Sequence, residues 1–125
     1  MEQGTDLKQI TKQISMKQIR LYAEASGDFN PIHVDEEYAR KSHYGQNIAH
    51  GMMVAASISE IMTSSFGSAW HSTGKMKIRF RAPVFPGDTI TATGHVREIT
   101  ETNRGSEIRC TIAVTRQTGE VAVSG

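Results

Sequence analysis

A single apolar segment and a single change of hydrophobic period govern what this chain can fold into. The segment is "NIAHGMMVAASISEIMTSSFG", in which no residue between Asn47 and Glu60 carries a full charge and only His50 can acquire one. Its length and its Ala and Met content predict a helix rather than a strand, and one buried on most sides. Gly51, Ala55, Ala56, Ser57 and Ser59 are small, so backbone from elsewhere can approach this helix closely. From Lys75 onward the period becomes two. "KMKIRFR" sets Met76, Ile78 and Phe80 on one face and Lys75, Lys77, Arg79 and Arg81 on the other. "APVFPGD" interrupts the alternation, which "TITATGHV" resumes with Ile90, Ala92 and Val96 on one side. "EIRCTIAVT" aligns Ile108, Cys110, Ile112 and Val114, and "EVAVS" follows the turn at "QTGE". Strands joined by short turns pair antiparallel. The expected architecture is α+β, with an antiparallel sheet wrapped around one central buried helix.

Upstream, Leu7 to Ile14 alternates as a strand does. Ser15 and Gln18 then have the spacing of a capping box, which starts a helix through "MKQIRLYAEAS". Met16, Ile19 and Ala23 fall on one face of it, and Gly27 is its natural stop. "DEEYARK" reads as a short helix with Asp35 near its N-cap. The 125 residues suffice for one core and not for two, so residues 1–125 are expected to form one domain. A formal net charge of +1 sets up no overall field for nucleic acid or an anionic membrane. The lone Cys110 excludes an internal disulfide and any Cys-based zinc site, in keeping with a reducing cytoplasm. "MEQGTDLKQI" has no apolar signal core and no apolar run reaches membrane-spanning length, so a cytoplasmic protein is expected.

The stretch "SGDFNPIHVD" does not serve a core. It places Asp28, Asn30 and His33 around Pro31, just after a helix. "YAEASGDFNPIHVDEEYA", then "IAHGM", then "RFRAPVFPGD" resemble the MaoC-like branch of the hot-dog superfamily, and most closely the (R)-specific enoyl-CoA hydratases. The G-D-x-N-P-x-H element is specific; P-x-x-x-G-D is shared more widely among hot-dog proteins. The resemblance implies a hot-dog fold, a homodimer, and an acyl-CoA or acyl-carrier-protein thioester as substrate. By motif position it makes Asp28 and His33 the catalytic pair with Asn30 beside them. It makes Gly51 an oxyanion-hole N–H donor and Ser59 a supporting hydroxyl. The segment "RKSHYGQN" is unusually polar for its place in the family, which bears on acyl-chain preference.

Those residue types suit the chemistry on their own terms. Hydration of an α,β-unsaturated thioester needs a base for the attacking water, an acid for C2 and a stabiliser for the charge on the thioester oxygen. A carboxylate and an imidazole can hold one water between them. Pro31 fixes its own φ and drives Asn30 extended, and the Asn30 amide can orient either the carboxylate or the water. Gly51 falls in the first turn of the apolar helix, where N–H groups lack intrahelical partners and no Cβ obstructs an acyl group. No metal or redox cofactor is called for.

Blander readings stand beside these. Asp28 after a glycine can be a turn-former, His33 a cap, Asn30 part of an Asn-Pro turn and Gly51 a packing glycine. His33, Asp35, His43 and His50 lie close in sequence, but no pair has the helical spacing of a zinc site. His71 and His95 read as surface residues, and Met52, Met53 and Met62 as core. Arg79 and Arg81 can grip the phosphates of CoA, with a solvated strand face as the alternative. The basic stripe is too short, and too poor in aromatics, for nucleic acid. Trp70 can line an acyl pocket or cover a helix end. Competing functions are a dehydratase acting on carrier-bound substrates, a thioesterase, which would want a carboxylate on the central helix, and a non-catalytic acyl-CoA-binding module.

Overall fold

The structure is a computed structural model that describes residues 1–125. Strand β1 (Ile10–Gln13) leads into α1 (Met16–Ser26), then the short helices α2 (Pro31–Val34) and α3 (Glu36–Arg40). The long helix α4 (Gly51–Phe66) and the short α5 (Ser68–Thr73) follow, and then β2 (Arg79–Phe80), β3 (Thr89–Thr102), β4 (Gly105–Arg116) and β5 (Val121–Ser124). The strands form one antiparallel sheet in the order β1-β3-β4-β5-β2. Pairing Ile10 with Ala92, Ala92 with Val114 and Val114 with Val123 aligns the alternate apolar residues of four strands on one face. Helix α4 beds onto that face through Val54, Ile58 and Ile61. Each such isoleucine, removed from water, stabilises the fold by about 2 kcal/mol. No helix is long and apolar enough to cross a membrane.

The local signals of the N-terminal half work as read. Ser15 Oγ accepts the Gln18 N–H at 3.1 Å and Gln18 Oε1 accepts the Ser15 N–H at 2.9 Å, closing the capping box. Ile19 and Ala23 are buried, and Gly27 ends α1 in the left-handed region at φ 77°. Asp35 caps α3 by accepting the Tyr38 N–H.

Three expectations are revised. Helix α4 is buried along one stripe rather than on most sides: Met52, Ala56, Glu60 and Ser64 form an outward row at helical spacing, and Glu60 pairs there with Lys12. Of the strand expected over Lys75 to Arg81, only Arg79 and Phe80 join the ladder, on β5. Met76 and Ile78 still pack on the core, while Phe80 turns outward, its ring lying against Gly51. Asn30 is extended at φ −51° and ψ 129°, as expected before a proline, but the chain does not stay extended, because Pro31 occupies the first position of α2. Trp70 packs on Gly74 at the end of α5, the second of the two places open to it.

Candidate active site

The site is assembled by a run of short local hydrogen bonds. Gly27 reverses the chain out of α1. Asp28 Oδ1 then accepts the Asn30 backbone N–H at 3.1 Å, and Asn30 Oδ1 accepts the Ile32 N–H at 3.2 Å, which caps α2. Asn30 thus steadies the carboxylate through its backbone, while its side chain serves the cap. One turn of α2 delivers His33. Its Nδ1 lies 2.8 Å from the carbonyl of Ile48, which can only accept, so Nδ1 donates to it and Nε2 is left for the site. Nε2 faces Asp28 Oδ2 at 4.0 Å, too far for a direct hydrogen bond and suited to one bridging water. The His33 side chain is 12% exposed and that of Asp28 53%, so the pair sits at a wet mouth with a dry interior.

Two residues that sequence reasoning did not assign hold this pair against α4. Asn47 is buried and donates from Nδ2 to the carbonyls of Ile32 and Asp35, tying the α2–α3 corner to the segment before α4. His50 is 2% exposed and directs Nε2 at the backbone carbonyl of Asp28, 2.9 Å away. Its ring stacks on His33 at 3.8 Å between centroids and 22° between planes. The signal was present, because His50 is the one titratable side chain in an otherwise uncharged stretch, but nothing in the spacing gave its partner.

Asp28, His33 and His50 bring ligand atoms within 4.8 Å of one another. Each imidazole already uses one nitrogen on a backbone carbonyl, and the two rings are stacked with 22° between their planes. Asp35, as the cap of α3, and His43, tilted over Tyr44, are engaged elsewhere.

An apolar cavity of about 250 Å³ opens beside the pair, lined by His33, Tyr44, Ile48, Gly51, Val54 and Phe80 among others. Gly51 is the first residue of α4, so its N–H has no partner within the helix and stands at the positive end of its dipole. Asp28, His33 and Gly51 therefore come together. Ser59 does not join them: it is half-buried two turns along α4, roughly 12 Å from Gly51 at the helical rise, and outside the cavity lining. Arg81 lines the cavity and donates from Nε to Ser124 Oγ; Arg79 is exposed and lies outside the lining. Glu60, the only carboxylate on α4, is on the outer row with Lys12 and away from the cavity.

The P-x-x-x-G-D turn carries no reacting group but anchors the floor. Asp88 is 5% exposed and accepts from the Phe85 N–H, from Nε and Nη2 of Arg116 and from Gln117. Burial by itself raises the Asp88 pKa, but the hydrogen bonds from Arg116, Gln117 and Phe85 and the Arg116 charge outweigh it and hold the carboxyl below 3.8.

A long helix bedded on one face of a five-stranded antiparallel sheet, with its N-terminus at an apolar cavity, is the architecture of the hot-dog class, to which acyl-thioester enzymes belong. Within it the chain belongs to the MaoC-like family: the MaoC like domain matches residues 1–120. It is 34% identical over 116 residues to an (R)-specific enoyl-CoA hydratase of Rhodospirillum rubrum, covering 93% of this chain and 78% of that protein. It is 32% identical over 105 residues to a 3-hydroxybutyryl-CoA dehydratase of Methylorubrum extorquens, covering 84% and 67%. Among solved structures, the (R)-hydratase from A. caviae involved in PHA biosynthesis superposes with a TM-score of 0.86 at 27% identity, over 100% of this chain and 92% of that one.

Proposed function

We propose that this chain is an (R)-specific enoyl-CoA hydratase, a lyase that adds water syn across a trans-2-enoyl-CoA to give an (R)-3-hydroxyacyl-CoA and runs the reverse dehydration. One observation carries the reading: Nε2 of His33 faces the Asp28 carboxylate at 4.0 Å, beside an apolar cavity that His33 and Gly51 both line. In this reading the acyl chain occupies the cavity and a water bridges the pair. The water oxygen bonds to C3 as one of its protons passes to His33 Nε2. The C2=C3 electron pair moves onto the thioester oxygen, where the Gly51 N–H receives the charge. Collapse of that enolate takes a proton at C2 from the pair. Both additions come from the side where the pair stands, which makes the addition syn.

One oxyanion donor contributes about 3 kcal/mol of barrier lowering and acid–base catalysis about 10²–10⁴ in rate. Arg81, at the cavity, is the better of the two arginines for the phosphates of CoA. The thioesterase reading lacks its carboxylate, since Glu60 lies away from the cavity. The same site would serve dehydration of a carrier-bound 3-hydroxyacyl thioester. We further propose a homodimer as the working form.

Crotonyl-CoA tests the reading. Wild type should remove the conjugated-thioester absorbance without releasing thiol, and Asp28→Asn and His33→Ala should each lose about 10²–10⁴ in kcat. Free thiol would make it a thioesterase, and equal turnover by all three proteins would remove Asp28 and His33 from the mechanism.

A further inference from the structure

His50 is the one residue of this molecule with a buried side-chain polar atom that has no hydrogen-bond partner, and that atom is Nδ1. A buried unpaired acceptor costs about 1–3 kcal/mol, and a fold retains one where something else is gained. The tautomer explains the orphan. Nε2 faces the Asp28 carbonyl, which can only accept, so Nε2 donates and Nδ1 is left buried without a partner. An apolar residue would avoid that cost.

What the imidazole gains is contact with three parts of the site at once. Its N–H fixes the backbone of Asp28. Its face carries the ring of His33, which is also held by the bond from Nδ1 to Ile48 O. Its own backbone is the N-cap of α4, directly before the Gly51 N–H. Tyr22 of α1 packs on the ring from another side, 4.8 Å between centroids and 58° between planes, so the ring cannot swing away. We infer that His50 is a positioning residue: it locks the separation and relative orientation of the Asp28 carboxylate, the His33 imidazole and the Gly51 N–H without touching substrate. The inference rests on the hydratase reading for its activity test.

Phenylalanine at this position keeps a flat ring for His33 to stack on and removes both the N–H and the orphan nitrogen. His50→Phe should therefore melt within a few degrees of wild type. Its kcat for crotonyl-CoA should fall by about 10²-fold with KM little changed, the size of loss that follows from displacing catalytic groups by about 1 Å. His50→Gln, which keeps an N–H donor for Asp28, should recover part of the lost kcat. A second arm needs no turnover. Imidazole ¹⁵N spectra of wild type should show His33 in the Nδ1–H form and His50 in the Nε2–H form. In His50→Phe the His33 signals should shift and broaden as the pair loosens.

A His50→Phe protein with wild-type kcat would overturn the inference, as would a loss of activity confined to KM or unchanged His33 signals. A wild type inert towards crotonyl-CoA would instead overturn the hydratase reading, and the spectra would still decide the role of His50.

Discussion

At Gly51 the absence of a side chain has a specific neighbour to account for it. A Cβ there would stand 2.9 Å from Phe80 Cε1, closer than carbon atoms pack, but Phe80 is 55% exposed and its ring can swing out. The backbone conformation of Gly51 is an ordinary one, so alanine costs no strain and improves helix propensity. Gly51→Ala should fold as stably as wild type, while its methyl group intrudes where the thioester oxygen meets the N–H. We expect kcat/KM for crotonyl-CoA to fall by about 10²-fold, the scale of losing one oxyanion donor. Adding Phe80→Ala relieves the ring contact but not the intrusion and should restore little. Full recovery in the double variant would mean that Gly51 is only a packing glycine. Asn30 teaches the converse: its side chain was expected to orient the carboxylate or the water, but its amide oxygen caps α2 on Ile32 and its backbone N–H holds Asp28. Sequence gives a residue's repertoire, and competition among nearby partners decides which part is used.

Between elements, the turn that ends in Asp88 holds the start of α4 in place. Val84 in that turn accepts the Ala49 N–H at 2.7 Å, one residue before His50, and the turn is pinned by the Asp88–Arg116 pair. Asp88 is buried and Arg116 partly so, with side-chain exposures of 7% and 15%, and removing the Asp88 charge leaves Arg116 only the exposed Glu120 carboxylate as a partner. Asp88→Asn should cost about 3 kcal/mol of unfolding free energy at neutral pH. The folded carboxyl titrates below 3.8, the value of the unfolded chain, so the unfolded state binds more protons in that window. The ionised pair therefore stabilises the protein fully above about pH 4, and that stabilisation fades as pH falls through the lower folded value. Denaturant unfolding from pH 7 to pH 2 should show the wild-type advantage over Asp88→Asn shrinking only below about pH 4; a constant gap would deny the linkage. Elements were legible where one local signal sufficed: the capping box, Gly27, and the alternation of β3 to β5. They were less legible where a distant neighbour decided, as when Phe80 leaves its apolar companions Met76 and Ile78 to lie on Gly51. The partner of His50 was missed for that reason, since Asp28 reaches it across a fold that spacing does not encode, whereas the signals of α2, the Asn30 cap and Pro31 at its first position, are local ones.

For the molecule as a whole, the exposed surface bears on the proposed dimer. Single exposed apolar side chains are common and mean little by themselves. Here Phe29 at 57%, Met52 at 56% and Phe80 at 55% exposure all flank the site: Phe29 adjoins Asp28, Met52 adjoins Gly51, and Phe80 lies against Gly51. The sheet order also leaves β1 and the two-residue β2 as edges with unpaired backbone groups. A second copy covering these residues would bury apolar area and also shield the half-exposed Asp28 carboxylate from bulk water, which strengthens every charge interaction in the site. Assembly and activity should then be coupled. Sedimentation at micromolar concentration should give twice the 13.8 kDa of the chain. Dilution below the dissociation constant should lower the specific activity in step with the dimer fraction. Met52→Lys, which sets a charge on the outward row of α4 without altering the core stripe, should favour the monomer and fall in specific activity while keeping its fold by circular dichroism. A monomeric wild type with undiminished turnover would show that one copy of the fold builds the whole site.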